Sequence, residues 1–243
     1  LEKGNTFGEM GLFRKAERSA SAEAAEKTRL LVVNRDCLEP LKKRNPKIAA
    51  KLFLNLANRL QNSLKETDER LLKQKKFNLA NLAKLTDDVK LEQQESLINP
   101  SEIWDGLGEK WRQKLNRFSE TFTIPRGKRL TKIKNKKGDY LFITSGEVEI
   151  ESMASRNSEK FSIGYCWTRK NFDLIGEFIL CIGGKDASAR ALAKKDSTLI
   201  QFTKLNLLNL ADQEPRIAAQ FLEDVVCILS DQLAIADRRL QGH

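Results

Sequence analysis

Histidine is almost absent from this chain, because the only one among its 243 residues is His243. Catalytic triads built on histidine and histidine-rich metal sites are therefore nearly excluded. The four cysteines, Cys37, Cys166, Cys181 and Cys227, are scattered and form no C-x-x-C pair. Such spacing is typical of reduced core residues in a cytoplasmic protein. The sequence thus predicts neither a metal centre nor a disulfide framework.

Long apolar runs are also lacking. Ile179–Ile182 is among the longest uncharged ones and spans only a few residues, so we expect no transmembrane helix, signal peptide or membrane insertion. Hydrophobic residues make up 40% of the chain and charged residues 31%, which is typical of a folded globular protein. No nucleophile–base pair, metal-ligand spacing or P-loop spacing is found. We therefore expect a protein that is not an enzyme.

Acidic residues are outnumbered by basic ones, 33 against 43, and the net charge is +10. Such an excess could attract nucleic acid, anionic lipid or a phosphate-bearing ligand. The basic residues are spread along the chain and not massed in one segment. This distribution favours a solvated basic surface, and nucleic-acid binding by this chain alone is not expected.

Residues 7–22 combine features that small anionic ligands require. Gly8 and Gly11 let backbone N–H groups approach a ligand closely, and Glu9 can accept hydrogen bonds from hydroxyl groups. Arg18 follows Glu9 by nine residues and can supply a bidentate positive charge. The alternative for Glu9 and Arg18 is an ion pair at the surface. We call residues 7–22 the cassette.

A strand and two helices are predicted after the cassette. Thr28–Val33 is apolar and β-branched, which indicates a buried strand. A short helix is expected from near Cys37, and Pro46 suits the first turn of a long helix that ends near Lys76. That helix carries an apolar seam at spacings of 4, 3, 4, 3 and 4, formed by Phe53, Ala57, Leu60, Leu64, Thr67 and Leu71. Such a seam packs against another helix, which is either that of a homodimer partner through helix 46–76 or part of the chain's own core.

The pattern changes after residue 100. Residues 77–100 are predicted to form a helical linker, and a helix is expected near residues 110–118. Short alternating segments then follow, separated by turns at Gly127, Gly138 and Gly146, which predicts a small β-barrel or jelly roll. Helices return from about Leu205, again with a proline, Pro215, near a helix start.

Comparison of the chain with itself reveals a repeat. Gly8–Glu9 recurs 168 positions later as Gly176–Glu177, and Pro46–Ala50 recurs 169 positions later as Pro215–Ala219. The second long helix carries the same 4-3 spacing of apolar residues, namely Leu222, Val226, Leu229, Leu233, Ala236 and Leu240. We therefore expect two copies of one domain.

The repeat predicts three segments. Residues 1–76 are the C-terminal part of a first copy, residues 77–100 a helical linker, and residues 101–243 a complete second copy. Only seven residues precede the Gly-Glu pair of the first copy. We expect that copy to lack the first part of its barrel, which either lies upstream in a longer protein or is supplied by a partner chain.

Strands, then F-G-E-x-G-L, then R-S-A, a closing strand and a long helix resemble the cyclic nucleotide-binding domain. This is the family of the catabolite activator protein and of the regulatory subunits of cAMP-dependent protein kinase. The motif residues of the first copy fall at the family's spacing: Gly8, Glu9, Gly11, Leu12, Arg18 and Ala20. The resemblance implies an α+β fold with two β jelly-roll barrels, each followed by a long C-terminal helix.

The resemblance also implies roles for individual residues. Glu9 would accept the ribose 2′-hydroxyl, and Arg18 would bind the phosphate with help from the Ser19 hydroxyl. Backbone N–H groups of Gly8–Gly11 would donate to phosphate and ribose, and Ser63 on the long helix would lie near the purine. The implied ligand-binding residues are Gly8, Glu9, Met10, Gly11, Leu12, Arg18, Ser19, Ala20 and Ser63. Ser19 favours cAMP over cGMP, because a threonine there tends to accompany cGMP in the family.

The second copy departs from the motif at its most important position. Gly176 and Glu177 are retained, but Asp186 occupies the place of the phosphate-binding arginine. A carboxylate there repels a phosphate and removes the strongest contact. We expect this degenerate second site to bind cyclic nucleotide weakly or not at all.

The sequence therefore favours a non-enzymatic sensor in which a cyclic nucleotide, cAMP in preference to cGMP, binds the first domain and reorders helix 46–76. Two alternatives remain. One is a transcription regulator of the catabolite-activator type, whose DNA-binding module would have to lie elsewhere because no winged helix follows the second long helix. The other is a degenerate scaffold whose barrels serve protein–protein contacts.

Overall fold

The computed structural model describes residues 6–13, 21–81, 109–130, 139–156, 159–170 and 189–241. The helices in this part of the chain are α1 (Met10–Phe13), α2 (Leu38–Arg44), α3 (Pro46–Asn81), α4 (Glu109–Asn116), α5 (Lys204–Gln213) and α6 (Pro215–Gln241). The strands are β1 (Glu120–Ile124), β2 (Tyr140–Ser145), β3 (Glu147–Arg156), β4 (Glu159–Lys170), β5 (Ala189–Ala193) and β6 (Ser197–Phe202). A 3-10 turn, Arg35–Cys37, leads into α2.

The strands form two antiparallel three-stranded sheets with the orders β1-β6-β2 and β4-β3-β5. Apolar side chains of both sheets share one core cluster, so the sheets pack face to face. The mixed helix and strand content agrees with the predicted α+β class. The two closed jelly-roll barrels are not seen in the described ranges, because each sheet there keeps its own edge strands and residues 6–13 and 21–81 contain no strand.

Successive residues of β2 face opposite sides of their sheet. Tyr140 and Phe142 pack into the cluster formed by the helices, whereas Leu141 and Ile143 pack into the cluster between the sheets. This is the period of two that a strand imposes on its side chains. The result is a layered arrangement of helices, sheet and sheet.

The turn between β2 and β3 depends on Gly146. Its φ is +99°, and a Cβ at this position would meet the Ser197 hydroxyl and the carbonyl of Asp196. Only glycine fits both the backbone conformation and the space. The predicted glycine turn at this position is confirmed.

Helices α3 and α6 pack against each other along most of their length. Lys47, at the start of α3, pairs with Asp212 just before α6 at 2.8 Å. Towards the other end, the Thr67 hydroxyl donates to Asp237 Oδ1 at 3.4 Å. The two helices therefore run parallel.

Four residues of the predicted seam of α3 are buried in one continuous cluster that includes α6, namely Phe53, Ala57, Leu60 and Leu64. Five of the six seam residues of α6 are buried in the same cluster, and the sixth, Leu240, is partly buried against it. On this face the seam meets α6 of the same chain, which was one of the two expected alternatives, and the homodimer through helix 46–76 stays a prediction. The 4-3 spacing specifies a helical partner but not which helix provides it.

The junctions between the paired helices have the same geometry in both halves of the chain. Asn45 (φ −138°, ψ 61°) separates α2 from α3, and Glu214 (φ −131°, ψ 60°) separates α5 from α6. In each case the backbone N–H donates to a leucine carbonyl at 2.8 Å, that of Leu41 or of Leu210. Prolines at the first helical position, predicted for both long helices, are confirmed.

Helix α3 is also fixed to the β1-β6-β2 sheet. Tyr140 donates its hydroxyl hydrogen to Asn58 Oδ1 at 3.2 Å, and Gln61 Nε2 donates to the carbonyl of Asp139 at 3.1 Å. The buried Asp139 carboxylate in turn accepts from Gln201 Nε2 and from the backbone N–H of Lys204. A movement of α3 would therefore disturb its hydrogen bonds to the β1-β6-β2 sheet.

The strand predicted at Thr28–Val33 is wrong for the described part of the chain. The backbone of this segment has no strand pairing, and the side chains of Leu30, Leu31, Val32 and Val33 are exposed. Strand propensity is satisfied only when neighbouring strands supply hydrogen bonds. Helix α3 continues to Asn81, into the predicted linker, and the rest of the linker (82–100) lies outside the described residues.

Candidate functional site

The described part of the cassette begins with a left-handed turn. Gly8 has a φ of +74°, a conformation that favours glycine. The backbone N–H of Leu12 donates to the carbonyl of Glu9 at 3.0 Å, which closes the first turn of α1. The buried Phe13 ring then packs edge-on against Phe53 of α3 at a centroid distance of 6.0 Å. This apolar anchor fixes the cassette to the long helix.

Glu9 faces α3. Its Oε1 lies 3.6 Å from Arg59 Nε, and the two side chains are only 12% and 30% exposed. That distance is too long for a hydrogen bond, so the contact is an ion pair. The other oxygen, Oε2, is buried and has no hydrogen-bond partner within the residues that the structure describes. A buried acceptor in this state is costly until a donor reaches it, which fits a ligand hydroxyl.

Arg59 is the residue that sequence reasoning missed. It lies on α3 four positions before Ser63, so the two side chains share one face of the helix. Ser63 is half-buried on that face. The sequence did contain a signal for Arg59. Ser63 was a predicted site residue on this helix, and the residue four positions before it lies on the same helical face.

The predicted site residues are distributed as follows. Met10, Gly11 and Leu12 lie in α1 and are half-buried, next to Gly8 and Glu9. The structure therefore brings the N-terminal half of the cassette onto α3, where it contacts Phe53 and Arg59. Arg18, Ser19 and Ala20 lie outside the described residues, as do Gly176, Glu177 and Asp186 of the second copy. Their roles stay predictions.

Helix α6 approaches the cassette as well. It contacts both α1 and α2 in addition to α3 and α5. All six residues of the segment Ile228–Leu233 are buried, which covers more than one and a half helical turns. Helix α6 is thus enclosed on every side here, although Ser230, Asp231 and Gln232 are polar. The first half of the chain forms part of this enclosure.

A charged cluster joins α2 to α6. The Lys42 ammonium pairs with the carboxylates of Glu223 and Glu39 and donates to Gln220 Oε1 at 3.4 Å. Burial opposes its charge, but the two carboxylates outweigh that effect and raise the pKa of Lys42. Next to it, burial raises the pKa of Asp224 to about 7, with a further contribution from Glu223. Gln220 Nε2 donates to Asp224 at 3.2 Å.

The cysteines only partly agree with expectation. Cys37 is exposed and Cys227 is half-buried, and both are free thiols. The prediction of a core position is therefore wrong for Cys37, whose 3-10 turn faces solvent. Burial raises the pKa of the Cys227 thiol to about 12, with smaller contributions from neighbouring carboxylates, so this group is a poor nucleophile at neutral pH.

The described residues show no group of three or more histidine, cysteine or acidic side chains that could hold a metal ion. Among the helices in the described ranges, none is both long and apolar enough to cross a membrane.

The cassette lies within a segment that matches a known protein family. Residues 1–45 match the family model of the cyclic nucleotide-binding domain. That range contains the Gly8 turn, Glu9 and α2. A search of curated protein sequences finds no match.

Solved structures with low similarity include three regulatory or ligand-binding proteins. The catabolite activator protein of Thermus thermophilus is 19% identical with a TM-score of 0.41, over 59% of this chain and 62% of that one. A cyclic nucleotide-binding domain from Methylobacillus flagellatus KT is 18% identical with a TM-score of 0.41, over 55% and 72%. A variant of CooA from Carboxydothermus hydrogenoformans is 13% identical with a TM-score of 0.40, over 63% and 90%. The chain thus spans about three fifths of the Thermus protein's length.

Proposed function

We propose that this chain is a non-enzymatic cyclic nucleotide sensor whose ligand, cAMP in preference to cGMP, binds at the cassette. The observation that carries this proposal is the Glu9 carboxylate, held on a glycine turn in a segment that matches the cyclic nucleotide-binding domain family. One of its oxygens is buried and ready to accept a hydroxyl hydrogen. Arg18 and Ser19 would bind the phosphate, and Ser63 would lie near the purine.

The Glu9–Arg59 ion pair suggests how binding reaches α3. A ribose hydroxyl that donates a hydrogen bond to Glu9 alters the ion pair between this carboxylate and Arg59, in which Glu9 Oε1 and Arg59 Nε lie 3.6 Å apart. Because Arg59 is part of α3, the ligand can bias the position of this helix. α3 is packed along α6 and bonded to the β1-β6-β2 sheet through Asn58 and Gln61. We propose that the second half of the chain responds to this change in the position of α3.

We further propose that the chain contains two copies of one domain, the first partial and the second degenerate at its ligand site. The matching geometry of the two helix junctions supports the repeat, since Asn45 and Glu214 share one backbone conformation. The exposed free thiol of Cys37 is compatible with the reducing conditions of the cytoplasm, where we place this sensor.

Calorimetric titration with cAMP and cGMP tests the proposal. Arg18→Ala should weaken cAMP binding by about 10-fold to 100-fold, because a charge-assisted hydrogen bond contributes about 1.5–3 kcal/mol. Asp186→Ala is the matched control, since it changes the corresponding position of the second copy and should leave the affinity unchanged.

Equal cAMP affinity for the unmodified chain and for Arg18→Ala would refute this site assignment. An effect of Asp186→Ala as large as that of Arg18→Ala would instead place the ligand in the second half. Absence of binding by the unmodified chain to either nucleotide would favour the scaffold alternative.

A further inference from the structure

The outer faces of α3 and α5 meet at the surface of the chain. Lys47, in the first turn of α3, pairs with Asp212 near the end of α5, with 2.8 Å between Nζ and Oδ1. Lys47 is the main cause of the lowered pKa of Asp212, and the charge of Lys51 contributes as well. Lys51, one turn further along α3, therefore lies near the same carboxylate. These contacts join the two helix faces into one surface.

Exposed aliphatic residues lie on this surface. Leu208 and Leu205 precede Asp212 by four and seven positions, so all three side chains share one face of α5. The two leucines are 36% and 65% exposed, and Ile48, which follows Lys47 on α3, is 59% exposed. We define the basic–apolar patch by six exposed residues, namely Lys47, Ile48, Lys51, Lys204, Leu205 and Leu208.

Basic side chains flank the aliphatic ones. Lys204 is exposed directly before Leu205, and Lys43 and Arg44 are exposed just before α3 begins. Asp212, paired with Lys47, offsets only one of these charges. Basic residues that are spread along the sequence are thus brought together by the fold, and the patch with its surroundings carries a net positive charge.

The composition of the patch indicates the kind of partner it fits. Aliphatic residues among long basic side chains are typical of surfaces that rest on anionic bilayers, where the lysines approach the lipid headgroups and the aliphatic residues reach the edge of the acyl region. Interfaces between proteins are depleted in lysine and enriched in arginine and aromatic residues. Contacts with a nucleic-acid backbone need cations but make little use of exposed leucine.

We propose that the basic–apolar patch docks this chain on an anionic lipid bilayer. The contact is peripheral, with the outer faces of α3 and α5 at the level of the headgroups. The attraction combines the positive charge of the lysines with the burial of Ile48, Leu205 and Leu208. The proposal does not require a nucleotide at the cassette, so it can fail while the proposed function holds, and the reverse.

Co-sedimentation of the 243-residue chain with lipid vesicles, without nucleotide, tests the proposal. Vesicles of phosphatidylcholine alone are compared with vesicles that contain about 30% phosphatidylserine. The chain should bind the anionic vesicles at least about 10-fold more tightly than the neutral ones. Raising the salt concentration from about 50 mM to about 200 mM should weaken this binding several-fold, because salt screens the attraction.

Matched variants locate the contact. Lys51→Gln combined with Lys204→Gln should weaken binding to the anionic vesicles by about 25-fold, since each basic residue at such a surface contributes about 5-fold. Lys128→Gln combined with Lys195→Gln removes the same charge from exposed lysines outside the patch and should weaken binding by no more than about 2-fold. All four lysines are exposed, so these variants should keep the fold, which circular dichroism checks.

Leu205→Ala tests the apolar part of the contact. It leaves the charge unchanged and should weaken binding to the anionic vesicles by about 3-fold or more, because less aliphatic surface leaves water. Binding unchanged by this variant would overturn the proposal, since attraction by charge alone needs no patch of this kind.

Three other results would also overturn it. The first is equal binding to neutral and anionic vesicles. The second is an equal loss of binding in the two double lysine variants, which would show that the net charge of the chain acts without a preferred surface. The third is binding to a DNA duplex, but not to anionic vesicles, that Lys51→Gln with Lys204→Gln weakens, which would identify a nucleic-acid surface instead.

Discussion

The Asp224→Asn variant should remove a pH dependence of stability that the unmodified chain shows on the alkaline side of pH 5. The pKa of Asp224 is about 7 in the folded chain, against 3.8 as its ordinary value, and burial is the main cause. The folded state therefore holds this proton more tightly than the unfolded state. The stabilisation is fully present below about pH 4 and is lost as the pH rises through about 7.

The size of the effect follows from the shift. About three pKa units at 1.36 kcal/mol each amount to roughly 4 kcal/mol over the whole range, of which about 3 kcal/mol is lost between pH 5 and pH 8. Asparagine keeps an oxygen that can accept the hydrogen bond from Gln220 Nε2, at 3.2 Å in the native chain, and it does not titrate. The free energy of unfolding of the variant should therefore lack this part of the pH dependence.

Urea unfolding at constant ionic strength, followed by far-UV circular dichroism at pH 5, 6, 7 and 8, measures the free energy of unfolding of the unmodified chain and of Asp224→Asn. Asp212→Asn is a suitable control. Asp212 is exposed and its pKa is lowered by Lys47, so its small contribution is lost only as the pH falls through its acidic range. If the free-energy difference between the unmodified chain and Asp224→Asn is the same at pH 5 and pH 8, the environment assigned to Asp224 is wrong.

Two further pairs of variants test the packing. Gly146→Ala should destabilise the chain by more than about 2 kcal/mol, because its Cβ would meet the Ser197 hydroxyl and the backbone conformation is strained. Gly127→Ala, with φ +76° and open space around it, should cost only about 1 kcal/mol. Thermal unfolding compares the two variants, and equal losses of stability would contradict the contact assigned to Gly146. Leu229→Ala, at a fully buried position of α6 in the cluster shared with α3, should cost about 2–5 kcal/mol. Leu205→Ala, at an exposed position of α5, should change the stability by no more than about 0.5 kcal/mol. A small loss for Leu229→Ala in urea unfolding would refute the burial of that contact.

Local sequence signals predicted the helices well. Pro46 and Pro215 were expected at the first turn of the two long helices, and both are found there. The reason is that the fixed φ of proline and its missing N–H suit only that position of a helix. The glycine turn at Gly146 was predictable for a similar reason, since its positive φ excludes other residues.

Features that depend on distant parts of the chain were harder to predict. The strand propensity of Thr28–Val33 is evident from its residues, but a strand forms only when neighbours provide hydrogen bonds, and that information is not local. The Glu9–Arg59 ion pair joins residues that are far apart in sequence, as does the cluster around Lys42 and Glu223. The 4-3 seam of α3 identified the buried face correctly but was compatible with either a partner chain or α6.

The central claim, that Glu9 is the ligand-binding carboxylate, is tested most directly by the cAMP affinities of Glu9→Gln and Glu177→Gln in otherwise unmodified chains. Glutamine keeps the size of the side chain but removes its charge, so Glu9→Gln should bind cAMP about 10-fold or more weakly, while Glu177→Gln should bind as the unmodified chain does. Affinity unchanged by Glu9→Gln, or lowered equally by both variants, would contradict the account.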